Sequence, residues 1–240
     1  YSSIKLNKIK EAIDISNNII LKKMYGDHKY KKILSSLNYL EGINNLDKNK
    51  NISENFFKLS IDNFKGNILA VLNYVVLIDG INKKRKAIKL LRDCFYISPH
   101  GKLLNKLLDV EGITVPGKKV AYAIKLLEKN NIEKNLLNEI KIQVAKLSIT
   151  EKIWGEAKYI LNTLEEKDHT KTSCQLLAEI ASSENKSSEV RKFLKRAATS
   201  NSDYSYYCLS CGKDNKDWYL SCLNCNELSS VEWGCEPKNL

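Results

Sequence analysis

Proline is nearly missing from this chain: Pro99, Pro116 and Pro237 are the only three in 240 residues. Glycine is sparse, at 10 residues. Alternating β-branched runs are hard to find, whereas apolar residues recur at i, i+3, i+4 almost everywhere. These shortages exclude a turn-rich β architecture and leave a helical one. Long apolar runs are also lacking. The longest, "ILAVLNYVVLI" at 68–78, contains Asn73 and is too short to cross a bilayer. No signal peptide is visible. The sequence begins at Tyr1 rather than Met, and the expectation is that further sequence precedes it, so the lack of an anchor here carries no weight.

Arginine occurs only four times, at Arg85, Arg92, Arg191 and Arg196, although the formal net charge is +11. Lysines supply that charge, and they are dispersed among glutamates. Scattered Lys with little Arg reads as compositional bias rather than as a phosphate-gripping surface, and no nucleic-acid partner is expected, a nucleic-acid-binding zinc ribbon ranking last among the alternatives. No glycine fingerprint for a dinucleotide appears. The three histidines, His28, His100 and His169, stand alone in sequence, with no nucleophile or acid pattern beside them. For His100, after Pro99 at a helix junction, a loop or capping role is expected. The chain therefore reads as a binding protein, not an enzyme.

Residues 1–200 read as almost wholly helical. "VAYAIKLLEKN" sets Val120, Ala123, Ile124 and Leu127 on one stripe; "WGEAKYILNTL" does the same with Trp154, Ala157, Ile160, Leu161 and Leu164. The helices also repeat. "AIKLL" at 87–91 and 123–127, "AKYIL" at 157–161 and "VRKFL" at 190–194 are spaced by 36, 34 and 33 residues, with "NFFKL" at 55–59 as an earlier echo. Each is preceded by another helical stretch, at 68–79, about 101–110, 134–147 and 171–183. Gly80, Gly117 and loops such as "SITEK" are expected to separate the members of a pair. In the N-terminal 50 residues, "IKLNKIKEAIDISNNIILKKM" and "KYKKILSSLNYLEGI" read as helices, and 44–53 as a loop with Ser53 capping the next helix. A period near 34 fits two antiparallel helices per repeat, stacked into a superhelix whose concave face takes a protein segment. Ala87, Ala123 and Ala157 with Leu91, Leu127 and Leu161 four positions on, and the helix break at Pro99, resemble the tetratricopeptide repeat.

Composition changes after Thr199. Cys208-x2-Cys211 and Cys222-x2-Cys225 form two pairs separated by ten residues. Two such knuckles build a tetrahedral sulfur cage suited to zinc, or to iron. Gly212 and Asn226 follow the two pairs, where a knuckle calls for positive φ. A module of about forty residues, 201–240, cannot bury a self-sufficient core, so a bound ion supplies folding free energy. Cys94 and Cys174 read as buried small hydrophobes, and Cys235 as a thiol left over beside the module. Between Tyr204 and Leu240 there are three Lys and five Asp or Glu, an acidic module on a basic body. That suggests that it packs on its own helices or meets a basic partner. Trp218, Trp233, Tyr206 and Tyr207 are candidates for its small core.

The stretch "YYCLSCGKDNKDWYLSCLNCNELSSVEW" resembles the C-terminal end of HemY-type bacterial proteins. The likeness rests on Tyr206 or Tyr207 before the first pair, Trp218 four residues before Cys222, and "VEW" at 231–233, and it extends over roughly residues 65–233. Asn226 stands where that family usually has glycine. The resemblance implies a tetratricopeptide scaffold associated with haem biosynthesis, anchored in the bacterial inner membrane through residues absent from this chain. It also implies a cytoplasmic face, protein partners, and haem or a porphyrin as a candidate ligand. A second likeness, ranked lower, is to the lipopolysaccharide assembly protein B family, whose rubredoxin-like module docks on its repeats; there the second pair usually reads CPxC, and here it reads "CLNC".

Overall fold

A computed structural model describes residues 9–16, 19–78 and 83–235. Helix follows helix from Ile9 to Ala197, after which a small sheet forms around the cysteines. Contacts gather the chain into two units, one containing residues up to 98 together with 205–234, the other containing 99–204 and Cys235. Gly80 lies outside the described residues, as do most of the first eight positions named in the N-terminal helix expectation.

The first unit holds α1 (Ile9–Ser16), α2 (Ile19–Tyr25), α3 (Asp27–Asn45), α4 (Lys50–Asn63), α5 (Ile68–Leu77) and α6 (Lys84–Ile97). Each packs on the next from α2 to α6, except that α1 returns to α3. Ile9 and Ala12 are buried there against Ile33 and Leu37. The α3–α4 crossing is close because Gly42 has no Cβ: one added there would lie 2.6 Å from the fully buried Phe57 ring. Ser53 does not cap α4. The helix starts one turn earlier, because the Asn49 side chain accepts the N–H groups of Asn51 and Ile52, both at 3.1 Å. Ser53 is instead buried inside the helix, donating to the Gly42 carbonyl at 2.7 Å. A second polar knot joins three helices: Ser60 Oγ donates to Ser35 O at 2.7 Å, and Asn67 Nδ2 donates to Ser35 Oγ at 3.0 Å. Asn67 also caps α5 through the Ala70 N–H.

The second unit holds α7 (Gly101–Glu111), α8 (Pro116–Lys125), α9 (Lys134–Thr150), α10 (Trp154–Asn162), α11 (Lys171–Ser183) and α12 (Ser187–Ala197). From α8 to α12 each helix packs on the next, and α9 also packs on α11. Three helices, α7, α9 and α11, end the same way. Gly112, Lys152 and Asn185 take φ of 77°, 62° and 60°. The next N–H then reaches back five residues, from Ile113 to Leu108 O, Ile153 to Ser148 O and Lys186 to Ala181 O. The expected break at Gly117 is thus at Gly112; Gly117 lies in the first turn of α8, behind Pro116 at the helix start.

The stripe expected on α8 shifts by one residue. Val120, Ala123 and Leu126 are buried, while Leu127 is only partly so, because the helix tightens into a 3-10 turn over Leu126–Glu128 and the period drops to three. On α10, Ala157, Ile160 and Leu161 are buried as the periodicity predicts, as is Leu164 just past its end, while Trp154 is only partly buried. The last helix, α12, buries no residue fully, and Leu194 is 52% exposed.

Two glycine replacements separate close approach from propensity. Gly42→Ala forces the Phe57 ring to move and should lower the unfolding free energy by about 1–3 kcal/mol. Gly155→Ala on α10 meets nothing within 4 Å and should leave stability unchanged or raise it by up to about 1 kcal/mol. Denaturant unfolding of both variants measures the difference.

Candidate metal centre

Chain geometry around the cysteines is set by three short strands, β1 (Ser205–Cys208), β2 (Asp214–Asn215) and β3 (Val231–Gly234), in the order β2-β1-β3 and antiparallel throughout. The all-α expectation therefore ends at the module, which is a small sheet with two loops. β1 delivers Cys208 directly into the first knuckle. Register pairs Tyr206 with Trp233 and Cys208 with Val231. Tyr206, Cys208, Cys222 and Val231 form a buried cluster, with Trp218 and Trp233 partly buried against it. Tyr207 is buried as well.

The two knuckles have the same hydrogen bonds. In the first, Cys208 N–H donates to Lys213 O at 3.0 Å and Gly212 N–H to Cys208 O at 2.9 Å. In the second, Cys222 N–H donates to Glu227 O at 3.0 Å and Asn226 N–H to Cys222 O at 2.9 Å. Gly212 and Asn226 take φ of 68° and 59°, the left-handed turn expected at both positions. Backbone N–H groups of Ser210 and Asn224 each point at a sulfur, on Cys208 and Cys222, at 3.4 Å. Asn224 Nδ2 donates to Cys211 Sγ at 3.5 Å.

Together these place Cys208, Cys211, Cys222 and Cys225 with every sulfur within 4.8 Å of the others. Cys208 and Cys225 sulfurs are 3.6 Å apart, Cys211 and Cys222 sulfurs 3.7 Å. A tetrahedron with bonds of about 2.3 Å to its centre has edges of about 3.8 Å. The four sulfurs thus fit one tetrahedral ion, and none is joined to another as a disulfide. Identity of the ion is a matter of ligand softness: four thiolates suit zinc, and iron next. Cys208 and Cys222 face inward, while Cys211 and Cys225 are exposed.

Ionisation follows from crowding. Burial raises the Cys208 thiol, but Ser230 and backbone N–H groups outweigh it and bring the thiol to about 6. Asn224 holds Cys211 below the usual thiol range. Cys225 goes the other way, up to about 12: the Glu227 N–H opposes burial and the three neighbouring thiols, and these win. Four negative sulfurs cannot coexist at these distances unless a cation compensates them.

The module packs on helices of its own unit. Lys29 and Lys32 of α3 pair with Glu227 and Glu232 of the module, the latter at 2.6 Å. Tyr39 meets the Trp218 ring edge-on, with centroids 5.4 Å apart. Leu220 and Leu228 pack against the α1–α3 cluster. The expected attraction between acidic module and basic helices is realised within this unit.

The other candidates are placed as follows. Cys94 and Cys174 are buried, Cys94 with its thiol raised first by burial. Cys235 is not one of the clustered four; it bonds to Tyr204 in the second unit, and burial raises its thiol. His28 is exposed on the first turn of α3. His169 is buried with Nδ1 3.1 Å from Ser173 Oγ. His100 caps α7, its Nδ1 accepting the Lys102 N–H at 3.0 Å. Burial, then Lys102 and Lys146, holds the imidazole down at about 4, so the acceptor nitrogen stays unprotonated.

Sequence reasoning did not find the groove between α7 and α9. It is a cavity of about 460 Å³ lined by Asn105 and Asp109 of α7, Gln143, Lys146 and Thr150 of α9, and the ion pair Lys119–Glu151. Beneath it Glu139 is buried and accepts from Gln143 Nε2 at 2.6 Å. Burial pushes that carboxyl up to about 7, against the Gln143 bond. No periodicity marks these polar positions, since they share helices with the core stripe.

The chain matches no family model, and no curated protein matches it.

Two outcomes follow from the titrations. Zinc binding at pH 7 should release protons, with Cys225 a source and Cys208 largely not, as measured by calorimetry in buffers of different ionisation enthalpy. Glu139→Gln should stabilise the protein by about 1–3 kcal/mol at pH 8, the gain fading toward pH 4. The sign follows because the unfolded carboxyl ionises near 4.5 and the folded one only near 7, so native stability is lost as pH rises between them. Unfolding curves across that range test it.

Proposed function

We propose that this chain is a protein-interaction scaffold of tetratricopeptide type, its helical pairs presenting a polar groove to a partner segment and its four-cysteine module serving a structural metal ion. The observation that carries this reading is the serial packing of α8 to α12, with the same left-handed ending after α7, α9 and α11, at Gly112, Lys152 and Asn185. Repeated units with repeated turns stack edge to edge and leave one face for binding. The cavity between α7 and α9 supports that use: its lining mixes Asn105, Asp109 and Lys146 above Leu104 and Leu108, a pattern suited to an extended peptide. The metal ion, bound by Cys208, Cys211, Cys222 and Cys225, supplies folding free energy and no reaction step.

Within that reading we assign the chain, on its likeness to HemY-type proteins, to haem biosynthesis at the cytoplasmic face of a bacterial inner membrane. Among the described residues no helix is long and apolar enough to cross a membrane, and the membrane assignment rests on the HemY likeness alone. Docking of the module on helices of its own chain also suits the lipopolysaccharide assembly protein B likeness. Depleting the protein from its host separates the two: altered porphyrin levels support the first, altered lipopolysaccharide the second.

A photo-crosslinking residue at Asn105 should capture a discrete protein in cells, while the same residue at the exposed Tyr159 should not. Equal capture at both positions, or none at Asn105, would remove the groove from the proposal. Chelation, or Cys208→Ser, should abolish metal binding and shift Trp fluorescence to the red as the module unfolds; elemental analysis supplies the stoichiometry.

A further inference from the structure

The first unit encloses a second cavity, of about 280 Å³, where the module meets α3, the α4–α5 turn and the end of α6. Four of its walls are aromatic: Phe64, Tyr206, Trp218 and Trp233. Its charged lining cancels itself. Lys32 Nζ donates to both Glu232 oxygens at 2.6 Å and sits 5.1 Å above the Phe64 ring. A charged ligand would have to break that half-buried pair, so charge is selected against.

Most polar groups around the cavity are satisfied. Ser98 donates to Gly66 O at 3.0 Å, and Asn67 is held by Ser35, Ser60 and Ala70. Ser229 is the lining residue whose unpartnered polar atom is fully buried. It lines the cavity, is 5% exposed, and its Oγ is buried with no hydrogen-bond partner among the described residues. Its φ is 47°, a left-handed conformation in a non-glycine residue, and its N–H is tied to Leu220 O at 2.6 Å. An orphaned hydroxyl on a strained, pinned backbone, beside a preformed aromatic cavity, is the combination expected where a small molecule completes the bonding.

We propose that this cavity binds a neutral, flat heteroaromatic molecule of one or two rings, stacked among Phe64, Trp218 and Trp233 and hydrogen-bonded to the Ser229 hydroxyl. Flatness matches the aromatic walls, neutrality the closed Lys32–Glu232 pair, and a polar ring atom the serine. The site is independent of the groove between α7 and α9 and does not rest on the scaffold reading.

The test uses the full zinc-loaded chain and indole as the probe, with saturation-transfer NMR as the readout. Indole should give a saturable signal in the millimolar range or tighter, with cyclohexanol and indole-3-acetate at least about fivefold weaker. Ser229→Ala should weaken indole about fivefold, the effect of losing one hydrogen bond, while leaving thermal stability equal or higher. Ile97→Trp, which adds bulk at a lining residue, should abolish binding in a protein whose metal content is unchanged, and it decides the matter if Ser229→Ala does not fold. Absence of saturable indole binding to the wild-type chain would overturn the proposal. So would equal affinity for cyclohexanol or indole-3-acetate, or indole binding that both variants leave unaltered.

Discussion

Mutual repulsion among four sulfurs is the constraint on which the module depends. Cys208, Cys211, Cys222 and Cys225 are held within 4.8 Å of one another by turns that point backbone N–H groups inward. Apart from Tyr206, Tyr207 and Val231, little is buried there, so the sheet has almost no apolar interior to oppose chain entropy. The sulfur cage takes the place of a core, and the strands, the Trp218–Tyr39 contact and the Lys32–Glu232 pair all hang from it. Neighbours of the cage also wall the aromatic cavity: Tyr206 lies two residues before Cys208, and Val231 pairs with Cys208 across the sheet.

Helix content was legible in the sequence because burial imposes a period. The stretches 68–77, 101–111, 134–150 and 171–183 lie where the i, i+3, i+4 spacing places them, and Ala87, Ala123 and Ala157 are all buried. The four-cysteine cluster was legible for a different reason: a knuckle fixes cysteine spacing and then asks for a left-handed residue, which Gly212 and Asn226 supply. His100 announced its capping role through its place after Pro99.

What escaped was decided by competition between neighbours. Asn49 and Ser53 are both good caps; Asn49 wins because its carbonyl oxygen reaches two N–H groups, and Ser53 finds the Gly42 carbonyl across the helix crossing. Leu126 replaces Leu127 in the core because one turn tightens. Gly112, not Gly117, ends α7, since Pro116 already commits the following residues to a new helix. The seat of the module could not be read at all, because pairs such as Lys32 and Glu232 lie 200 positions apart and leave no local trace.

That separation has a consequence for biosynthesis. Residues 205–234 complete the unit that begins at the N-terminal helices, and 99–204 are made in between. A ribosome emitting this chain releases α1 to α6 long before their partner emerges, so the exposed faces around Tyr39 and Leu37 must wait through the synthesis of six further helices. Among the described residues, 99–204 can be completed as they emerge, while the helices before them stay unfinished until 205–234 follow.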